Sequence, residues 1–160
     1  MHSNIGQLLL RIRKHLAGEK AFLANYSDGL SNLPLDELIA DFERKNVVAS
    51  FAAVRSWQTF HTVQFGDDGY VSGIGQARSS EFLINGGFFV LRHDIFDYMQ
   101  EGEELVEEPF RRLIARRLLG VYKHLGYWQS MDTFKDKITL DRMEAQGDCP
   151  WMVWKQAKAT

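Results

Sequence analysis

The 160-residue chain has one cysteine, Cys149, and three prolines. A single thiol excludes an internal disulfide, and with no pair of the five histidines at zinc-ligand spacing it cannot complete a structural zinc site. Such cysteine usage fits a reducing compartment, so a cytoplasmic location is expected. An excess of one charge is also lacking. Nineteen Lys and Arg against 21 Asp and Glu leave a net charge of −2, so no global positive field draws the chain to nucleic acid. No apolar stretch reaches the roughly 20 residues that cross a bilayer. The first twenty residues carry Arg11, Arg13, Lys14 and Glu19 among their apolar positions, so they hold no uncharged signal-peptide core. Neither nucleic acid nor a membrane is expected as a partner. Repeats, low-complexity segments and linkers are absent too, and a single domain over residues 1–160 is expected.

What is present is an ordinary globular composition, 45% apolar and 25% charged, in a chain long enough to bury a core. Ile5, Leu8, Leu9, Ile12 and Leu16 recur at helical spacing with Arg11, Arg13 and Lys14 between them, and Gly18 would stop that helix. "AFLANY" (21–26) has strand length. Leu35 to Lys45 is helical after Pro34, which suits a first turn. "VVASFAAV" (47–54) reads as a strand, and "HTVQF" with "YVSGI" around Gly66-Asp67-Asp68-Gly69 reads as a hairpin. "EFLINGGFFVLR" (81–92) is a strand whose paired glycines mark a bulge or a close backbone approach. Glu107 to Leu119 is helical, "GVYKHL" is a strand, and Thr133 to Gln146 is a last helix. Helices interleaved with buried strands predict an α/β domain: a mixed sheet flanked by helices.

Asp28 follows "AFLANY" directly, between Ser27 and Gly29. A carboxylate at the carboxyl end of a buried strand lies where open α/β folds bind ligands. Asp followed by Gly is equally a plain turn.

Four stretches in this order, "FLANYSDGL", "INGGFFV", "EEPFRRLI" and "GYWQSMDTFKDK", followed by a closing "CPWMVW", resemble the sugar-1-phosphate nucleotidyltransferases, and most closely the glucose-1-phosphate cytidylyltransferase branch. The resemblance runs from about Gly6 onward. It implies a partial nucleotidyltransferase (Rossmann-like) fold. It also implies a reaction in which a sugar-phosphate oxygen attacks the α-phosphorus of a nucleoside triphosphate, giving a nucleotide sugar for polysaccharide biosynthesis and pyrophosphate. By the same resemblance Asp28 and Asp132 are the catalytic pair that holds Mg²⁺. Asn85, Gly86, Gly87, Glu107 and Trp128 then bind substrate, with sugar 1-phosphate and CTP as the small-molecule partners. Trp57, Phe60, Tyr127 and Trp128 offer aromatic rings for the floor of a sugar pocket, and plainer roles stand beside each residue: a turn for Asp28, a helix N-cap for Asp132, a bulge for the glycines, a helix start for Glu107, and core packing for the four aromatics.

Two family features are missing from the chain. The glycine-rich G-G-x-G-T-R loop and its following lysine do not occur, and "GIGQARSS" (73–80) stands where relatives carry E-K-P, with Arg78 its one cation. The expectation is a nucleotidyltransferase-like protein incomplete on its own, with a non-catalytic sugar-phosphate-binding or oligomerisation module as the alternative. In the family architecture the missing first strand lies beside "FLANY", which would therefore form an apolar sheet edge. A second copy in a homo-oligomer, the N-terminal helix or a partner chain is expected to cover it.

Overall fold

The computed structural model describes residues 4–55, 61–76 and 82–156. They form two compact units, each assembled from three separated stretches of chain. Unit one comprises Met1–Tyr26, Pro34–Ala52 and Gly87–Lys123, and unit two Ser27–Leu33, Ala53–Gly86 and His124–Thr160.

In unit one, α1 (Ile5–Ile12) starts where Asn4 Oδ1 accepts from Gln7 N at 2.9 Å, and it continues as a 3₁₀ turn over Arg13–Leu16. It packs through Gly6, where any side chain would meet Glu103 O at 2.4 Å. β1 (Ala21–Asn25) and α2 (Leu35–Lys45) follow as expected. α2 buries Leu38 and Phe42, and it ends at Asn46 in the left-handed region (φ 50°). β3 (Ala49–Arg55), β6 (Leu83–Arg92) and β7 (Leu119–His124) complete a four-stranded sheet in the order β1-β6-β3-β7.

β1 runs antiparallel to β6, from Ala21 opposite Arg92 to Asn25 opposite Phe88. Arg92 N donates to Val48 O, which sets the end of β6 against the start of β3. Val48 N and Ala49 N both donate to Leu118 O, so β3 and β7 start side by side and share a direction. The sheet is mixed, as expected. β1 is one of its edges, with Leu23 half exposed.

The core beneath it gathers Leu9, Phe89, Leu91, Ile95, Phe110 and Leu113. Phe89 meets Tyr26 and Phe110 edge-on at centroid distances of 5.4 and 6.2 Å, a geometry that aromatic quadrupoles favour. α3 (Glu108–Ala115) is shorter than its apolar pattern predicts, because Arg117 turns left-handed (φ 57°) and Leu119 is drawn into β7. A 3₁₀ segment, His93–Tyr98, was not anticipated.

Unit two contains the hairpin of β4 (His61–Phe65) and β5 (Val71–Gln76), closed by Gly69 N donating to Gly66 O at 3.0 Å. It also contains a short ladder of β2 (Gly29–Ser31) and β8 (Trp128–Ser130), then α4 (Phe134–Ala145) and α5 (Val153–Gln156). β2 and β8 went unpredicted because three residues carry no readable period. The N-cap of α4 is Thr133 rather than Asp132. Thr133 Oγ1 accepts from Asp136 N, and the Asp136 carboxylate accepts from Thr133 N at 2.9 Å, a reciprocal capping box. Among the described residues no helix is long and apolar enough to cross a membrane.

Candidate functional site

The β2–β8 ladder organises the acidic pair. Gly29 pairs with Ser130 and Ser31 with Trp128. Beyond the first rung Met131 N donates to Asp28 O at 2.9 Å, so Asp28 sits just before one strand and Asp132 just after the other, at the same end of one ladder. Both residues are solvent-exposed. Ser130 Oγ donates to Asp132 Oδ2 at 2.6 Å and restricts that carboxylate. Residues 104 positions apart in sequence are thereby neighbours, by backbone pairing alone.

The opposite end of the ladder is tied by a polar knot. Asn32 Oδ1 accepts from Tyr127 N at 2.8 Å and Asn32 N donates to Tyr127 O at 3.2 Å. Buried His124 places Nε2 3.0 Å from Asn32 Oδ1 and 3.2 Å from Tyr127 O, two acceptors, so that nitrogen carries the proton. Ser31 Oγ donates to Tyr127 O at 2.7 Å and accepts from Leu33 N at 3.1 Å. Gly126 is required here, since a Cβ would meet Asn32 Oδ1 at 2.5 Å and the His124 ring at 2.6 Å. Of these residues the sequence singles out only Tyr127, as an aromatic for core packing or a pocket floor; Ser31, Asn32, His124 and Gly126 were not given a role. The available signal was a glycine immediately ahead of paired aromatics.

Trp128 is buried, and its Nε1–H donates to Gly86 O at 2.8 Å, which joins two of the expected substrate-binding residues. Asn85 precedes that glycine on β6 and is half-buried. Tyr127 is also buried: its hydroxyl donates to Gln129 Oε1 at 3.0 Å and its ring lies 5.5 Å from that of Trp151. Burial, then the nearby Asp148 and Cys149, push the Tyr127 phenol up to about 12, so it stays a neutral donor.

Gly87 and Glu107 belong to unit one. Gly87 is left-handed (φ 75°), and a Cβ there would stand 2.4 Å from the Tyr26 ring, while Tyr26 N donates to Gly87 O at 2.9 Å. The close approach expected at the double glycine is thus that of Tyr26. Glu107 is exposed at the N-cap of α3, and its side chain makes no capping bond. The acid engaged nearby is Glu103. Its carboxylate accepts both Nη groups of Arg112, which also reaches Tyr98 O at 2.8 Å, and the guanidinium holds the Glu103 carboxyl below the usual range. Trp57, Phe60 and Arg78 lie outside the described residues.

Among the described residues no three His, Cys, Asp or Glu side chains gather as a metal cage. Two exposed carboxylates at one ladder end fit Mg²⁺, which keeps several waters and takes one or two carboxylates together with substrate phosphates.

No protein-family model matches the chain. Curated relatives do. A Bacillus subtilis (strain 168) protein assigned as a glucose-1-phosphate cytidylyltransferase is 36% identical over 143 residues, covering 88% of this chain and 56% of the relative. The glucose-1-phosphate cytidylyltransferase of Salmonella typhimurium is 31% identical over 161 residues, covering 96% of this chain and 60% of the relative. Among solved structures, a Bacillus anthracis protein assigned as a glucose-1-phosphate thymidylyltransferase superposes with a TM-score of 0.61 at 14% identity, over 91% of this chain and 61% of that one. HddC from Yersinia pseudotuberculosis superposes with a TM-score of 0.56 at 13% identity, over 85% and 60%.

The fold is therefore part of a nucleotidyltransferase fold. Within that class, the chain belongs to the sugar-1-phosphate nucleotidyltransferase family, and its curated relatives are glucose-1-phosphate cytidylyltransferases. It spans somewhat over half the length of those relatives.

Proposed function

We propose that the chain is the sugar-side portion of a nucleotidyltransferase of the glucose-1-phosphate cytidylyltransferase type, acting on sugar 1-phosphate and CTP. The observation that carries this reading is the β2–β8 ladder, which brings Asp28 and Asp132 to one end of one pair of strands. Phosphoryl and nucleotidyl transfers rest mainly on positioning and charge neutralisation, and two exposed aspartates at one end of a strand pair suit that role. Asp28 and Asp132 would hold Mg²⁺, which when bound supplies positive charge against the phosphates. Ser130 orients the Asp132 carboxylate, and the Asn32–His124–Tyr127 knot fixes the strands that carry both acids. On the sugar side the candidates in unit two are Asn85, Gly86 and Trp128. Trp128 would act by holding the Gly86 carbonyl in place, since its indole N–H is already committed there.

Calorimetric titration of the purified chain with glucose 1-phosphate and Mg²⁺ tests the reading. Binding that requires Mg²⁺, and that weakens at least tenfold in both Asp28→Asn and Asp132→Asn, is the expected result. No binding by the wild-type chain refutes it. Adding CTP and following pyrophosphate separates two forms of the proposal: release means the chain suffices for transfer, and sugar-phosphate binding without release means a binding module.

A further inference from the structure

The end of α1 concentrates positive charge in a chain whose net charge is −2. Arg11, Arg13 and Lys14 lie within four residues, and no acidic residue occurs from Ile5 to Leu16. A cation in a helix's last turn complements the dipole there, which accounts for one such residue. Three together repel one another, Arg11 and Lys14 being about one turn apart. Among the described residues none of the three takes part in an ion pair, whereas Arg44, Lys45, Arg92, Arg112 and Lys137 each hold a carboxylate.

Within unit one these side chains line a cavity of about 480 Å³ together with Leu10, Ala17 and His93. His93 opens the 3₁₀ segment after β6, and its backbone N donates to Lys20 O at 3.2 Å, which ties that segment to the exit from α1. The buried Phe96 ring fixes two walls of the cavity. Arg13 Cζ lies 5.3 Å from its centroid, and the His93 ring meets it edge-on at 5.2 Å. A guanidinium already held on an aromatic face needs little further ordering when an anion arrives. The carboxylates of the same 3₁₀ segment, Asp94 and Asp97, line a separate cavity with Arg112, and none lines this one.

We propose that this cavity binds the di- or triphosphate group of a small molecule. Two guanidinium forks and an ammonium are the donors that phosphate oxygens accept best, and Leu10 and Ala17 leave an apolar wall for an attached organic group. A singly charged anion would leave most of this charge unneutralised, whereas a di- or triphosphate is multiply charged. The volume lies within the range of about 300–1,000 Å³ usual for small-ligand sites. An anionic membrane fits less well: an interfacial helix inserts its apolar face, and α1 has buried Gly6 and Leu9 of that face in the protein. The cavity contains neither Asp28 nor Asp132, so it does not rest on the transfer chemistry proposed above.

Calorimetric titration with pyrophosphate in the presence of EDTA tests it, because the chelator removes the Mg²⁺ that the acidic pair would need. The wild-type chain is expected to bind with a dissociation constant below about 1 mM. Arg11→Gln combined with Lys14→Gln alters exposed side chains only, so it should keep the wild-type melting temperature and bind at least about tenfold more weakly. Arg13→Gln should weaken binding likewise, and Lys137→Gln in unit two should bind as wild type does. Titration with ADP under the same conditions separates two forms of the proposal: tighter binding than pyrophosphate means that the organic group uses Leu10 and Ala17, and equal binding means that the phosphates alone are read. A wild-type chain that takes up no pyrophosphate overturns the proposal, and its flotation with phosphatidylserine vesicles in that case would assign the basic cluster to a membrane. Undiminished pyrophosphate binding by the folded double variant overturns it equally.

Discussion

At the residue scale, the acidic pair depends less on the aspartates than on the side chains that hold their strands. Gly126→Ala drives a methyl into Asn32 and His124, and overpacking of this kind costs about 1–3 kcal/mol. Urea denaturation should show that loss, and the variant should also weaken glucose 1-phosphate binding through the displaced ladder. Ser50 makes the opposite case. Its Oγ is buried without a hydrogen-bond partner, alone in this among the described residues. Ser50→Ala is therefore expected to leave stability unchanged or raise it by up to about 1 kcal/mol in the same measurement, since an unpaired buried hydroxyl has only a desolvation cost to lose. Residue types at Asp28, Asp132 and Asn85 were legible in the sequence as candidates. The roles of Asn32, His124 and Gly126 were not, because each follows from a partner some ninety residues away.

Elements were legible in proportion to their length. α2 has the limits its periodicity predicts, and the β4–β5 hairpin forms around the expected turn. The three-residue strands β2 and β8 escaped notice, although they carry the candidate site. α3 is anchored by the Glu103–Arg112 pair, which gives it a definite acid sensitivity. The Glu103 carboxyl is lowered from its ordinary value of 4.5, chiefly by the hydrogen bond from Arg112. A lowered carboxyl contributes stability at pH values above its unfolded pKa, and that contribution is lost as pH falls through the folded value. Thermal melts from pH 6 to pH 3 should therefore separate: Glu103→Gln is expected to melt lower than wild type at pH 6 and to converge with it in acid. α4 has a local start signal, and Thr133→Ala, which removes half of the capping box, is expected to cost about 1 kcal/mol by chemical denaturation.

At the scale of the whole molecule, the sheet ends at β1, whose middle residue Leu23 is half exposed. Leu23→Lys should change stability by less than about 0.5 kcal/mol, as substitutions at exposed positions usually do. It should also reduce aggregation on heating, read by light scattering, because a charged edge strand resists pairing with another edge. By itself the sequence determined the types of the longer elements and the family, because periodicity, turn residues and ordered motifs are local properties of the chain. Only the tertiary structure decided that Asp28 and Asp132 share a ladder end, that Trp128 is committed to Gly86, and that the hairpin turns Val63, Phe65, Val71 and Ile74 to water. Each of these is set by strand register and by long-range backbone pairing, and neither is encoded within any one segment.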